Sequence, residues 1–529
     1  MTYDLLIQNS RVADGTGQPA YQADVAVLDG KIAQIAPSIP ADCARQVLDG
    51  QGLVTAPGFI DIHSHSDSYF LRDDRGESRI YQGVTTELAG QCGSTIYPCP
   101  AEHMDRIRQF AGKEVEEYAS GSLAEFLEKV KRDGRKMGTN LAPLIGHGAL
   151  RCGVMGYEDR KALPEELAQM EALLRRDMEA GAWGLSLGLG YTPGVSADGP
   201  ELQALGQVVA DFGGLITSHM RDQGLGTPAS LEEMYEIFRR SGAHVHIAHF
   251  KASGKAAWGK APEFVENVRR AQAQGVHVTA DVYPYAASSS NVTNSFPKWA
   301  IHGGLQRAVA LLQDPEQRGE LMSQLERIFV TEQDGRSLYV VDTGGMYPPA
   351  DGKDIWQLSQ QLGLSMAETV AKVTVETMAQ AACISFCMDQ GDVDHMLSQN
   401  DFAIGSDGVS LPFAPELNAG KPHPRNFGTF PRFLRLAREN KICSLEEAVR
   451  RITGLPAQII GLPDRGFVKE GMIADLTVFD PETVTDKATF ENPFQKPEGV
   501  RHVIMAGRPA LLDGRQTELR LGQFILKQQ

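Results

Sequence analysis

The chain has 529 residues, 42% of them apolar, enough for one large barrel with additions or for two or three domains. Its 51 basic and 67 acidic residues leave a net charge of −16, which argues against nucleic acid and anionic membrane as partners, since both reward basic patches. No apolar stretch approaches the roughly 20 residues that span a bilayer. The opening "MTYDLLIQNSRVADG" lacks the basic and apolar regions of a secretory signal, and the seven cysteines are scattered, so the expectation is a cytoplasmic protein with reduced thiols.

Residues 3–56 alternate short apolar runs with Gly and Asp-Gly turns, the pattern of β-hairpins. The C-terminal stretches "GFVKEGMIADLTVFDP" and "GVRHVIMAGRPALLDG" have the same character. A small β-sandwich domain assembled from both ends, residues 1–56 plus 466–529, is expected around a central domain at 57–465.

The central part follows a different grammar. An amphipathic helix ends at Gly, a short apolar strand follows, and the strand ends in polar residues. "PEELAQMEALLRRDMEAGAWGLSLGLGY" places Pro164 in the first turn of a helix and stops it at Gly181 before a strand toward Tyr191. "ELQALGQVVADFGGLITSHM" ends at His219, "SLEEMYEIFRRSGAHVHIAHF" at His249, and "EFVENVRRAQAQGVHVTADVYPY" near Asp281 and Tyr283. Polar strand ends therefore fall near His63/His65, Cys92, His147, Ser186, His219, His249, Asp281 and Asp407, which are eight. Most gaps between them are about 30–55 residues, close to the unit of a (β/α)8 barrel. The gap from Asp281 to Asp407 is too long, and an insertion over residues 286–348 accounts for the excess, placed after strand seven where it can cover the barrel mouth as a lid. Cys383 and Cys387, four apart, are expected on a helix as core packing.

The chemistry begins at "GFIDIHSHSD". In a strand, residues i and i+2 share a side, so His63 and His65 can converge on one object. Barrel strand ends meet in one mouth, which brings His63, His65, Cys92, His219, His249 and Asp407 together. Imidazole, thiolate and carboxylate are the ligand types that zinc prefers. A Cys92 nucleophile paired with His219 or His249 is the competing reading, but the surrounding residues make a better metal cage than a triad.

The motifs "PGFIDIHSHSD", "GVTTELAGQCGS", "GHGALR", "SHMRDQ", "IAHFKASG", "DVYPYAAS", "IGSDG" and "HPRNFGTFPR" resemble, in this order, the N-acyl-D-amino-acid deacylase (D-aminoacylase) family of the amidohydrolase superfamily. The resemblance covers essentially the whole chain. It implies a zinc-dependent hydrolase of N-acyl-D-amino acids acting on a small-molecule substrate. It also implies one tight zinc site from Cys92, His219 and His249, and a second, weaker position from His63, His65 and Asp407. Asp407 is then general base and acid. Lys251, Tyr283 and Arg425 are implied to hold the substrate's α-carboxylate, with Tyr191 and His147 as further substrate-binding residues and Asp281 and Arg221 as supporting ones. The D configuration comes from the resemblance alone. The alternatives are a cyclic amide hydrolase, which usually carries a carbamylated lysine where "AWGLSLGLGY" has Ser186, and a non-catalytic scaffold, which tends to lose ligands.

Overall fold

The helix–strand alternation folds into a ring of eight parallel strands in the computed structural model of the protein, which describes residues 2–99, 117–302, 304–331, 334–418 and 420–528. The strands are Phe59–Ser64, Val84–Ala89, Asn140–Pro143 continued by Ile145–Gly146, Gly184–Gly188, Leu215–His219, His244–Ile247, Val278–Val282 and Phe402–Ile404. They are called barrel strands one to eight below. The ring closes where Asp407 N donates to His63 O at 2.8 Å and His65 N to Gly408 O at 2.8 Å.

Alternation along these strands separates two environments. Leu185, Leu187, Ile216, Val245, Ile247, Val278, Val282 and Ile404 pack in the core shared with the surrounding helices. The alternate positions Asp61, His63, Ser186, Thr217, His246 and Asp281 are polar and fully buried. The helix Thr227–Ser241 illustrates the outer layer. It has Pro in its first turn and stops at Gly242, whose φ of 75° suits glycine. It buries Leu231, Met234, Tyr235 and Ile237, each contributing about 1.5–3 kcal/mol if fully removed from water.

Both chain ends supply one nine-stranded sheet. Val54–Pro57 runs parallel to Tyr3–Val12 on one side and antiparallel to Leu476–Phe479 on the other, joining the two halves. Leu5, Ile7, Val25, Val27, Ile32, Leu476, Val478 and Ile504 form its separate core. The last residues leave this sheet and lie against the barrel. Leu141 N donates to Gln523 O at 3.0 Å, Ile525 N to Leu141 O at 2.9 Å, Lys527 N to Gly181 O at 2.9 Å, and Trp183 Nε1 to Ile525 O at 2.7 Å.

The segment after strand seven is larger than the sequence pattern suggests. Ser288–Asn291, Leu338–Asp342, Lys353–Asp354 and Ala382–Ser385 make a four-stranded antiparallel sheet. Ala382–Ser385 lies between Ser288–Asn291 and Leu338–Asp342, so the unit cannot end at residue 348. The helices Ile355–Leu362 and Met366–Glu376 share its core with Val292, Phe296, Leu325 and Val340. Cys383 is thus a buried residue of a central strand rather than of a helix, and Cys387 follows that strand.

Candidate metal centre

One ligand atom from each of His63, Cys92, His249 and Asp407 lies within 4.8 Å of the others. His219 joins this group through Nδ1, 2.9 Å from His249 Nε2 and 3.9 Å from Cys92 Sγ. His65 joins through Nε2, 3.2 Å from Asp407 Oδ1. Cys92 Sγ is the hub, 3.4 Å from His249 Nε2 and 3.5 Å from His63 Nε2.

Three of these residues sit in backbone that L side chains rarely adopt. The φ angles are 55° at Cys92, 38° at His249 and 51° at Asp407. Such residues cost about 1–3 kcal/mol each and persist only where their surroundings hold them. Each has a visible restraint. Ser186, on strand four, accepts from Gly93 N at 3.1 Å and donates to Gly90 O at 2.5 Å, clamping the turn that carries Cys92. His249 N donates to Asp281 Oδ1 at 2.9 Å. Asp407 follows Ser406, whose N and Oγ both bond the buried Asp61 carboxylate.

Gly188 makes the Cys92 turn possible. A Cβ there would stand 2.2 Å from Cys92 O, a contact with backbone that cannot swing away. Gly188→Ala is therefore expected to displace Cys92 and weaken metal binding by about 10–100-fold, the range seen when ligand supports are lost, as measured by chelator competition. Unchanged metal affinity in that variant would show that the turn adapts freely.

The electrostatics fit a cation. Burial pushes the Cys92 thiol up, but the His249 and His63 imidazoles outweigh it and hold the pKa well below the usual thiol range. Burial pushes His63 down, yet Asp281 on one side and Cys92 on the other raise it well above its ordinary value. Burial lowers His219 and His249, the latter to about 4, so both are neutral imidazoles with lone pairs to offer a cation. Spacing agrees: tetrahedral zinc with thiolate and imidazole ligands sets S···N edges of about 3.6 Å and N···N edges of about 3.3 Å. The Cys92 edges to His249 and His219, 3.4 and 3.9 Å, bracket the first value, and the His219–His249 edge of 2.9 Å is shorter than the second.

Beside this cluster lies a second group. Tyr283 is buried and its hydroxyl has no hydrogen-bond partner. Lys251 Nζ is 5.1 Å from the centre of its ring, and the Arg425 guanidinium carbon is 5.3 Å from it. Both cations are themselves buried. Arg425 also binds Asp407 Oδ2 at 2.6 Å through one of its five N–H groups. An unpartnered hydroxyl on a ring with two buried cations close to it is suited to an anion.

Other candidates take different places. Tyr191 lies against His219 with the rings tilted at 46° and their centres 4.3 Å apart. His147 is fully buried, with Nε2 2.7 Å from Glu201 Oε1 and Nδ1 unpartnered. Arg221 pairs with Glu233 at 2.9 Å and donates to Ala197 O at 3.0 Å, tying the loops after strands four and five together. Of two supports for the ligands, Gln223 carries no sequence signal, whereas Asp281 is expected from the sequence near the mouth as a supporting residue. Gln223 Nε2 is 3.1 Å from His249 Nδ1. With His249 Nε2 as a ligand, Nδ1 carries hydrogen, and the Gln223 amide must then present its oxygen, a flip of the same side chain. Asp281 reaches three partners at once, including His63 Nδ1 at 3.3 Å.

With this geometry in view, residues 46–511 match the amidohydrolase family. The chain belongs to that family. It is 33% identical to an N-acyl-D-aspartate deacylase of Alcaligenes xylosoxydans xylosoxydans over 530 residues, covering 99% of this chain and 95% of that protein. A D-aminoacylase of the same organism is 32% identical over 99% of this chain and 98% of its own length. Within the family the chain therefore groups with the N-acyl-D-amino-acid deacylases. Among solved structures, an N-acyl-D-glutamate deacylase from Bordetella bronchiseptica, complexed with zinc and a phosphonate inhibitor, superposes with a TM-score of 0.83 at 29% identity, covering 99% of this chain and 100% of that one. An L-hydantoinase from Arthrobacter aurescens shares the fold, with a TM-score of 0.56 at 17% identity, covering 99% of this chain and 100% of that one.

Proposed function

We propose that the protein is a zinc-dependent hydrolase that cuts the amide bond of N-acyl-D-amino acids, giving a carboxylate and a free D-amino acid. The observation that carries this reading is the pairing of a Cys–His–Asp donor cluster with an adjacent anion subsite around the unpartnered Tyr283 hydroxyl. The donors fit zinc and the subsite fits the α-carboxylate of the substrate. In this reading Cys92, His219 and His249 make the tight site. His63, His65 and Asp407 offer a second, weaker position that shares Cys92 as a neighbour.

Zinc held there supplies a Lewis acid for the amide carbonyl and acidifies water. The protein's residues supply the rest. Burial alone would raise the Asp407 pKa, but Arg425 and the imidazoles hold it well below the usual carboxylate range, so it is ionised and ready to accept a proton. It takes the proton of the attacking water and returns it to the leaving nitrogen. Lys251, Tyr283 and Arg425 fix the α-carboxylate, with Tyr191 and His147 as further contacts. An arriving carboxylate shares the Arg425 guanidinium with Asp407, which loosens the grip on Asp407 and makes it a stronger base. Ser186 speaks against the cyclic amide reading, because strand four offers a hydroxyl already engaged with the Cys92 turn and no lysine.

The test is amine release from matched N-acetyl-D- and N-acetyl-L-amino acids with apolar, acidic and basic side chains, using zinc-loaded protein. D-only turnover is expected, and no turnover of either enantiomer would overturn the reading. Within that assay Lys251→Met is expected to lower kcat/KM by about 10–100-fold, mainly through KM, the scale of one lost charged hydrogen bond.

A further inference from the structure

Strands six and seven carry a line of polar side chains, half-buried at His244 and Thr279 and fully buried at His246 and Asp281, that the reaction above does not use. His244 and His246 lie on one side of strand six, and Thr279 and Asp281 on one side of strand seven. The parallel register sets His246 beside Thr279. His244 Nε2 is 2.9 Å from Thr279 Oγ1, and His246 Nδ1 is 2.8 Å from the same oxygen. His246 Nε2 is 3.0 Å from Asp281 Oδ2, which also lies 3.3 Å from His63 Nδ1. His246, Asp281 and His63 are 0% exposed.

With His63, His244 and His246 as neutral imidazoles, one set of hydrogens satisfies every contact. The Asp281 carboxylate accepts from His249 N on Oδ1, and on Oδ2 it faces two imidazole nitrogens, so His246 Nε2 and His63 Nδ1 both carry hydrogen. Neutral His246 then has a bare Nδ1, which takes the hydroxyl hydrogen of Thr279. The hydroxyl oxygen in turn accepts from His244 Nε2. The line points one way and ends at His63, whose Nε2 lone pair is left facing Cys92 and Asp407.

We propose that His246, braced by Thr279, is a positioning residue that acts through Asp281 to fix the tautomer of His63 and the placement of His249, and so sets the metal affinity of the site. This rests on the zinc-hydrolase reading above. A polar pair buried only for packing is replaceable by apolar side chains of similar shape without touching ligand chemistry. A histidine that orients a ligand through a carboxylate is not, and losing such outer support typically lowers metal affinity 10–100-fold.

The test compares wild type, His246→Leu, His246→Gln and Thr279→Val by zinc competition against a chelator, melting of the zinc-free proteins, and kcat and KM at saturating zinc. His246→Gln keeps an N–H donor near the Nε2 position, and His246→Leu removes it. Zinc affinity is expected to fall about 10–100-fold in His246→Leu, to return to within a few-fold of wild type in His246→Gln, and to fall by a smaller factor in Thr279→Val, with KM little changed. Equal zinc affinity in all four proteins, with melting temperature alone reduced, would overturn the proposal. So would equal losses in the Leu and Gln variants. Where His246→Leu does not fold, Thr279→Val decides: folded protein with wild-type zinc affinity overturns the proposal. Failure of the wild type to bind zinc would instead sink the hydrolase reading.

Discussion

Asp407→Asn is expected to lower kcat by about 10²–10⁴-fold, the contribution of a positioned general acid–base. Asparagine is the right probe for two reasons. It has the shape of aspartate, and it tolerates the left-handed backbone present at φ 51°. The fold around the Ser406–Asp61 contact and the Cys92–His219–His249 cluster should therefore persist. Zinc at the tight position is expected to stay, while the amide can neither accept nor return the proton. Steady-state rates on a turned-over N-acyl-D-amino acid, with zinc content measured on the same samples, separate the two effects. A kcat within about 3-fold of wild type in zinc-replete protein would remove Asp407 from the proton path.

Cys92→Ser attacks the site from the other side. The thiolate is the hub of the cluster, within 3.9 Å of nitrogen atoms from His63, His219 and His249. A serine hydroxyl is a hard, protonated donor at neutral pH, and it keeps none of the charge that the three imidazoles stabilise. The loss should exceed the roughly 100-fold at the upper end for outer supports. Activity should vanish after dialysis against a chelator and return in part at high zinc. Melting supplies an independent readout. Bound zinc stabilises by RT ln(1 + [Zn]/Kd), so the zinc-dependent rise in Tm should shift to a higher concentration range. A Cys92→Ser protein that keeps zinc through dialysis would hand the tight site to the other ligands.

Much of this arrangement was legible in the sequence, and the reason is periodicity. Helices with Pro near the start and Gly past the end, alternating with short apolar strands, specify a parallel barrel, and polar residues at strand ends then converge by topology. What escaped was whatever depends on register between strands. His246 looks like a packed core residue until Thr279 is set beside it and Asp281 is found 3.0 Å from its ring. Ser186 stood out only as a missing lysine, while its hydroxyl is what holds the Cys92 turn. The insertion was cut short for a related reason. The helices Ile355–Leu362 and Met366–Glu376 have the same amphipathic pattern as barrel helices, and only the pairing of Ala382–Ser385 with Ser288–Asn291 and Leu338–Asp342 reveals where they belong.

The sheet built from both chain ends has a consequence for biogenesis. Val54–Pro57 leaves the ribosome more than 400 residues ahead of its partner strand Leu476–Phe479. At about 5–20 residues per second, translation leaves that edge unpaired for about 20–80 s. Its open backbone groups are meanwhile a template for neighbouring nascent chains. The segment that covers Leu141 and Trp183, residues 523–527, emerges later still. The sheet is therefore completed long after its first strands emerge, and the yield of native protein should depend on how well the growing chain is shielded during that wait.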